Sequence, residues 1–369
     1  MKAIQWIISA LVAVVIIAAA VGGGVYFTRL KSIHSIRKLT DYENYNLYRM
    51  DIDYAYDLDR LIDRGITDNQ SMINAILAEA LPYLPIHMKA PNFGCSVFCT
   101  QGTDGHTLMG RNYDFKNDTS AMLVYCTPKD GYASVAFAAL DNINANTPDA
   151  SMAKKLATLT APFICLDGMN EKGVSIAVLT LDSDPTYQQT GKPMIATTLA
   201  IRLVLDRAAT TAEAVELLSK YDMFASSGRD YHFYITDASG DGRVLEYDCN
   251  APARPLTVTP SRSVTNFFVM YKDNVLPNQR NGVYGHGRER YDAIEEILDA
   301  NAGSIDREIA WQALQAASQA PNPQDVTSKT QWSILYDNTA LTAEAVIRRD
   351  WNTKTSYDLV SNVAVTDVG

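Results

Sequence analysis

A chain of 369 residues, 47% hydrophobic and 20% charged, carries enough apolar mass for one large core or two small ones. Its net charge of −10, with no dense cluster of Lys and Arg, excludes a protein that tracks a nucleic-acid backbone. Five scattered cysteines (95, 99, 126, 165 and 249) form no CxxC pair and five histidines are equally scattered, which speaks against a zinc site and against a disulfide scaffold. The odd count suits one free thiol among buried structural cysteines.

Residues 3–27 contain no charge and are long enough to span a bilayer with some tilt, with Trp6 and Tyr26 placed as interfacial aromatics. A cleaved signal peptide, cut near Ala18-Ala19-Ala20, is the competing reading; the length of the run favours an uncleaved anchor. Positive charge flanks both ends: Lys2 on one side and Arg29, Lys31, Arg37 and Lys38 on the other. Read by the positive flank at 29–38 alone, the bulk would stay in the cytoplasm; a hydrophobic segment directly after Met-Lys more often exports the polypeptide C-terminal to it, so the expectation is a single-pass protein with its bulk outside the cytoplasm. Residues 1–28 are therefore assigned to the anchor or signal and 29–94 to a prelude or propeptide. Within the prelude, helical spacing of Leu47, Met50, Tyr54, Leu58 and Leu61 predicts a helix over 43–64. Thr67-x-x-Gln70 predicts a cap for a second helix that runs to Leu81 and stops at Pro82. These apolar faces require a partner, which the remainder of the chain would supply.

From residue 95 the pattern becomes strand-like. Strands are predicted at 95–101, 106–111, 121–126, 133–138, 162–166 and 173–181, then helices over 196–221 with a second cap at Thr210-x-x-Glu213. A hairpin over 231–247, a strand at 263–269, helices near 288–299 and 305–318, and strands at 331–337, 344–349 and 356–361 complete residues 95–369. Mixed blocks of strand and helix fit a layered α+β domain. No internal repeat or low-complexity tract interrupts it.

The chemistry concentrates at the first hairpin. Cys95-Ser96 opens one strand, Thr103-Asp104-Gly105 turns the chain, and Gly110-Arg111-Asn112-Tyr113-Asp114 follows. Arg111 lies sixteen residues after Cys95 and Asp114 nineteen, so the return strand brings a guanidinium and a carboxylate back beside the thiol. A nearby cation favours the thiolate, which is the nucleophilic form.

This spaced set resembles the choloylglycine hydrolase family, N-terminal-nucleophile hydrolases that include bile salt hydrolases and penicillin V acylases, with acid ceramidase and N-acylethanolamine acid amidase as relatives. Asp167-Gly168-Met169-Asn170-Glu171-Lys172-Gly173 and Val264-Thr265-Asn266 are similar to two later family motifs, so the resemblance covers roughly residues 90–360. It implies a four-layer αββα sandwich. It also implies that cleavage of Gly94–Cys95 by the same thiol frees a new amino terminus. Cys95 would be the nucleophile and its own α-amine, with an ordinary pKa of about 8, the base. The resemblance gives Arg111 the part of favouring the thiolate and Asp114 that of orienting the amine. Asn266 would donate to the oxyanion through its side chain and Thr180 through its backbone N–H. Arg290, with Arg288 as competitor, matches a late active-site arginine at a helix start. Asn112 would shape the loop.

Two departures stand out. Bile salt hydrolases carry Asn, and penicillin V acylases Tyr, where this chain has Thr180, and about ninety residues precede Cys95, as in the acid ceramidase group. The expectation is a membrane-anchored, self-processing cysteine amidase for a small N-acyl amine or N-acyl amino acid, working without cofactor or metal. Assembly of identical copies is compatible with the sequence. An acyltransferase of the acyl-CoA:6-aminopenicillanate type, or a non-catalytic envelope-associated domain that kept the fold, are the alternatives.

Overall fold

In a computed structural model, residues 23–82, 94–280, 282–322 and 329–368 are described. The chain enters through helix α1 (23–34), then β1 (Arg37–Lys38), β2 (Leu47–Ile52), α2 (Leu58–Asp63) and α3 (Asn69–Ala80). The predicted hairpin follows as β3 (Gly94–Gln101) and β4 (Thr107–Phe115), turning at Gly105 with φ +83°. Next come β5 (Ala121–Cys126), β6 (Ser134–Ala139), α4 (Met152–Ala157), β7 (Cys165–Asn170), β8 (Ser175–Leu181) and β9 (Met194–Ala196). Helices α5 (Thr197–Arg207) and α6 (Thr211–Ser219) precede β10 (Asp222–Phe224), β11 (Asp230–Thr236), β12 (Arg243–Tyr247), β13 (Leu256–Pro260) and β14 (Ser263–Val264). The chain ends with α7 (Arg288–Ala300), α8 (Arg307–Ala317) and strands β15 (Lys329–Asp337), β16 (Thr342–Ile347), β17 (Thr353–Asp358) and β18 (Val363–Val368).

Two large sheets organise these elements. One has nine strands in the order β1-β2-β5-β6-β7-β8-β11-β12-β13, the other seven in the order β14-β3-β4-β15-β16-β17-β18. The sheets meet through β3 and β8, α5 packs on β7 and β8, and α7 and α8 pack on β3, β4 and β14. Inner strands are therefore covered on both faces, which is why they read as near-continuous apolar runs without alternation. All nine residues of β4 are buried. Hydrogen bonds also cross between the sheets: Tyr336 Oη donates to Asp167 Oδ1 at 2.6 Å, and Asn338 Nδ2 to Ser175 Oγ at 2.9 Å.

The prelude departs from expectation. Leu47, Met50, Tyr54, Leu58 and Leu61 are all buried, as their spacing requires. The helix predicted over 43–64 is nevertheless a strand followed by the short α2. β2 pairs in parallel with β5, from Leu47 opposite Ala121 to Ile52 opposite Cys126. Tyr48, Arg49 and Ile52 are buried as well, so the strand is covered on both faces and its apolar positions do not separate the two periods. The expected short helical segment is thus a mixed segment that contributes strands to the main sheet. The second helix matches, although Asp68 and not Thr67 caps it, accepting from Ser71 N at 2.7 Å. Most of the expected 3–27 span lies outside the described residues; among those described, no helix is long and apolar enough to cross a membrane.

Further along, Pro162 sits in a 3-10 turn over 158–163, which moves the strand predicted at 162–166 on to β7. The strand predicted at 263–269 is only two residues long. The chain then leaves the ladder, and Asn266 lies on irregular backbone between β14 and a 3-10 turn at 269–274.

Candidate active site

Cys95 is the second residue of β3, opposite Tyr113 on β4, and is fully buried. The hairpin register puts Arg111 opposite Val97, two residues along from the position facing Cys95 on the neighbouring strand. From there Arg111 Nη2 reaches Cys95 Sγ at 3.1 Å and also donates to Val178 O at 3.0 Å. Its Nε lies 3.0 Å from Asp167 Oδ2, and that carboxylate accepts from Tyr336 on its other oxygen. Arg111 and Asp167 are both fully buried, so the cation beside the sulfur is already neutralised by a carboxylate behind it.

That balance shows in the thiol. Burial pushes the Cys95 thiol up to about 12; Arg111 opposes the shift and the Asp114 carboxylate adds to it. Desolvation outweighs the guanidinium, so the thiol is neutral at ordinary pH. Burial likewise raises the Asp167 carboxyl, with Arg111 pulling the other way.

The main chain of Cys95 is gripped at both ends. Its N–H donates to Asn266 Oδ1 at 3.0 Å and its carbonyl accepts from Arg290 Nη1 at 2.8 Å. Arg290 Nη2 donates to the same Asn266 oxygen at 2.7 Å, and Nη1 lies 3.2 Å from Asp114 Oδ2. Asn266 Nδ2 donates to Thr180 O at 2.9 Å. Two donors on one side and a carbonyl on the other fix the orientation of this amide. Asp114 further accepts from Gln319 Nε2 at 2.8 Å and Thr330 Oγ1 at 2.6 Å.

Arg111, Asp114, Asn266 and Arg290 thus meet around Cys95, whereas Thr180 joins them through its carbonyl, which accepts from Asn266, and not through the N–H expected of it. Between the two candidate arginines the geometry selects Arg290, which is buried, whereas Arg288 pairs with Asp292 at 2.7 Å and with Lys272 O. Gly287 makes the inward fold of Arg290 possible. It adopts φ +85°, and a Cβ there would sit 2.3 Å from Arg290 Nη2. Asn112 binds Ser96, Leu314 and Ser333, tying β4 to β3, α8 and β15. Cys99, Cys126 and Cys165 are buried and Cys249 is half-buried, and none forms a disulfide. Among the described residues no cluster of His, Cys, Asp or Glu has the makings of a metal site.

Sequence reasoning gave no role to Asp167, Gln319 or Thr330. Asp167 stood in a recognised motif, but its partner comes from the other sheet; the other two have no local signature.

Residues 95–251 match the family model of the linear amide C–N hydrolases, choloylglycine hydrolase family. The fold is similar to that of a variant of the conjugated bile acid hydrolase from Clostridium perfringens, with a TM-score of 0.54 and 16% identity over 74% of this chain and 97% of that one. It is also similar to penicillin V acylase from Agrobacterium tumefaciens, with a TM-score of 0.52 and 18% identity over 72% of this chain and 86% of that one.

Proposed function

We propose, from the match of residues 95–251 to the choloylglycine hydrolase family of linear amide C–N hydrolases, that this chain is a self-processing cysteine amidase on a four-layer αββα N-terminal-nucleophile fold. The family match begins at Cys95 itself, the residue this reading makes the new amino terminus. In the processing step Cys95 Sγ adds to the Gly94 carbonyl carbon, the peptide nitrogen leaves, and water then hydrolyses the thioester. This yields a Gly94 carboxylate and a free Cys95 α-amine.

In turnover the α-amine takes the thiol proton as Sγ attacks the substrate amide carbonyl. The oxyanion is stabilised by the Asn266 side chain and the Thr180 backbone N–H. The proton passes to the leaving amine, a thioester remains, and water releases the acid. Arg111 lowers the cost of the thiolate, and Asp114, coupled to Arg290, orients the amino terminus. The observation that carries this reading is the pair of contacts on Cys95: Arg111 at the sulfur, and Asn266 with Arg290 on its main chain.

The substrate class is a small N-acyl amine or N-acyl amino acid. The uncharged run at 3–27 supports a membrane tether with the catalytic part outside the cytoplasm, and retention of the N-terminal fragment in carbonate-washed membranes tests it. The decisive experiment is intact-mass analysis. Wild type is expected as two fragments, the second beginning at Cys95, and Cys95→Ala as one full-length chain. Full amidase activity from an uncut chain would refute the reading.

A further inference from the structure

We propose that His232 and Glu246 form a buried positioning pair that sets Asn266 in its working place; this rests on the reading of Asn266 as a participant at Cys95. His232 lies on β11 and Glu246 on the adjacent β12, and both are fully buried. His232 Nδ1 is 3.1 Å from Glu246 Oε1, and Nε2 is 3.0 Å from Thr265 O. A main-chain carbonyl can only accept, so Nε2 carries a proton. The Glu246 oxygens also accept the backbone N–H groups of Val269 at 2.7 Å and Met270 at 3.1 Å. A further proton therefore lies between Nδ1 and Oε1, since two bare lone pairs would repel at that distance.

The geometry grips the chain on both sides of Asn266. His232 holds the carbonyl just before it, and Glu246 holds two amides shortly after it. This segment has left the β14 ladder, and other main-chain bonds tie it to the loop before α7: His286 N to Asn266 O at 2.8 Å and Phe268 N to Tyr284 O at 2.9 Å. The His232–Glu246 pair thus fastens the main chain of residues 265–270 to the nine-stranded sheet. Asn266 then spans the molecule, with Nδ2 on Thr180 of that sheet and Oδ1 on Cys95 of the other. A buried polar pair is a poor source of net stability beside apolar residues of equal volume. Positioning accounts for its place in the core.

The test uses the full chain and fluorogenic N-acyl amides of 7-amino-4-methylcoumarin. His232→Leu removes both bonds; His232→Gln retains an N–H for Thr265 O. His232→Leu is expected to lower kcat by ~10²-fold with KM within about twofold, as befits a displaced oxyanion donor, and His232→Gln to recover most of that loss. Combined with Asn266→Ala, either change should add nothing to the loss from Asn266→Ala alone, because both act through one side chain. Equal losses in the Leu and Gln variants, or losses that multiply with Asn266→Ala, would overturn the proposal. Should His232→Leu fail to fold, His232→Gln and its double variant with Asn266→Ala carry the same comparison. If Asn266→Ala keeps wild-type kcat, the reading of Asn266 has failed and this proposal falls with it. If Asn266→Ala is inactive while His232→Leu is fully active, only this proposal falls.

Discussion

At Cys95 two opposing influences meet, and their balance dictates how the first chemical step responds to pH. Burial holds the thiol at about 12 against the pull of Arg111. Raising an acid's pKa keeps its neutral form to higher pH, so between pH 7 and 9 the reactive thiolate is scarce and grows about tenfold per unit. Self-cleavage, followed on gels after a pH jump, is expected to accelerate across that range; a flat profile would contradict attack by the buried thiol. Behind the sulfur, Arg111 depends on Asp167. Asp167→Asn leaves a buried cation without its counter-charge and is expected to cost about 3–5 kcal/mol in urea unfolding. Replacing the pair together, Arg111→Met with Asp167→Leu, should restore much of that stability while cleavage stays lost. Cys95, Arg111 and Asp114 were legible because one local hairpin fixes their geometry, whereas Asn266 and Arg290 were reached only through the family resemblance. Asp167, His232 and Glu246 were not legible as a site. Asp167 meets Arg111 of the other sheet, and His232 and Glu246, though paired across one hairpin, meet Thr265, Val269 and Met270 of a separate segment, contacts that no spacing rule encodes.

Among the elements, β2 teaches the most. Its residues were correctly marked as core, yet a strand buried on both faces and an amphipathic helix share the same apolar positions over a few residues. The apolar runs after Cys95 were legible as strands because they are short and bounded by turns. β1, β9, β10 and β13 escaped because they are short or only partly buried, and β18 because its exposed valines alternate weakly. The pairing of β2 with β5 gives a sharp expectation. In the uncut Cys95→Ala chain, Leu47→Ala and Met50→Ala should each cost about 2–5 kcal/mol in urea unfolding, the toll of truncating any fully buried side chain. Changes below ~0.5 kcal/mol would mean that this strand is dispensable.

For the whole molecule, the segment before Cys95 is woven into the body of the protein. Tyr54 Oη donates to Leu159 O at 2.5 Å, Tyr56 Oη to Asp206 at 3.0 Å, and Arg207 pairs with Asp59 at 2.7 Å. Together with the buried face of α2, these contacts predict that cleaved protein elutes as a single species on gel filtration, even in high salt, because the apolar contact is insensitive to screening. Leu58→Asp with Leu61→Asp should let the two fragments separate without preventing the cut. Free elution of the wild-type fragment beginning at Cys95 would show that the segment is a discarded leader.

The place of β2 inside the nine-stranded sheet, one strand in from its edge, has a kinetic consequence. An uncut chain refolds by a first-order process, since β2 and β5 are tethered to each other. Once the bond before Cys95 is broken, the same pairing becomes a second-order encounter between two polypeptides. Loss of structure is then also dissociation, and the thermal midpoint comes to depend on how much protein is present. A cut molecule diluted from denaturant would recover slowly or not at all, whereas its uncut precursor recovers at any dilution. The enzyme would thus be assembled once, as a single chain, and afterwards persist through the slowness of its own disassembly.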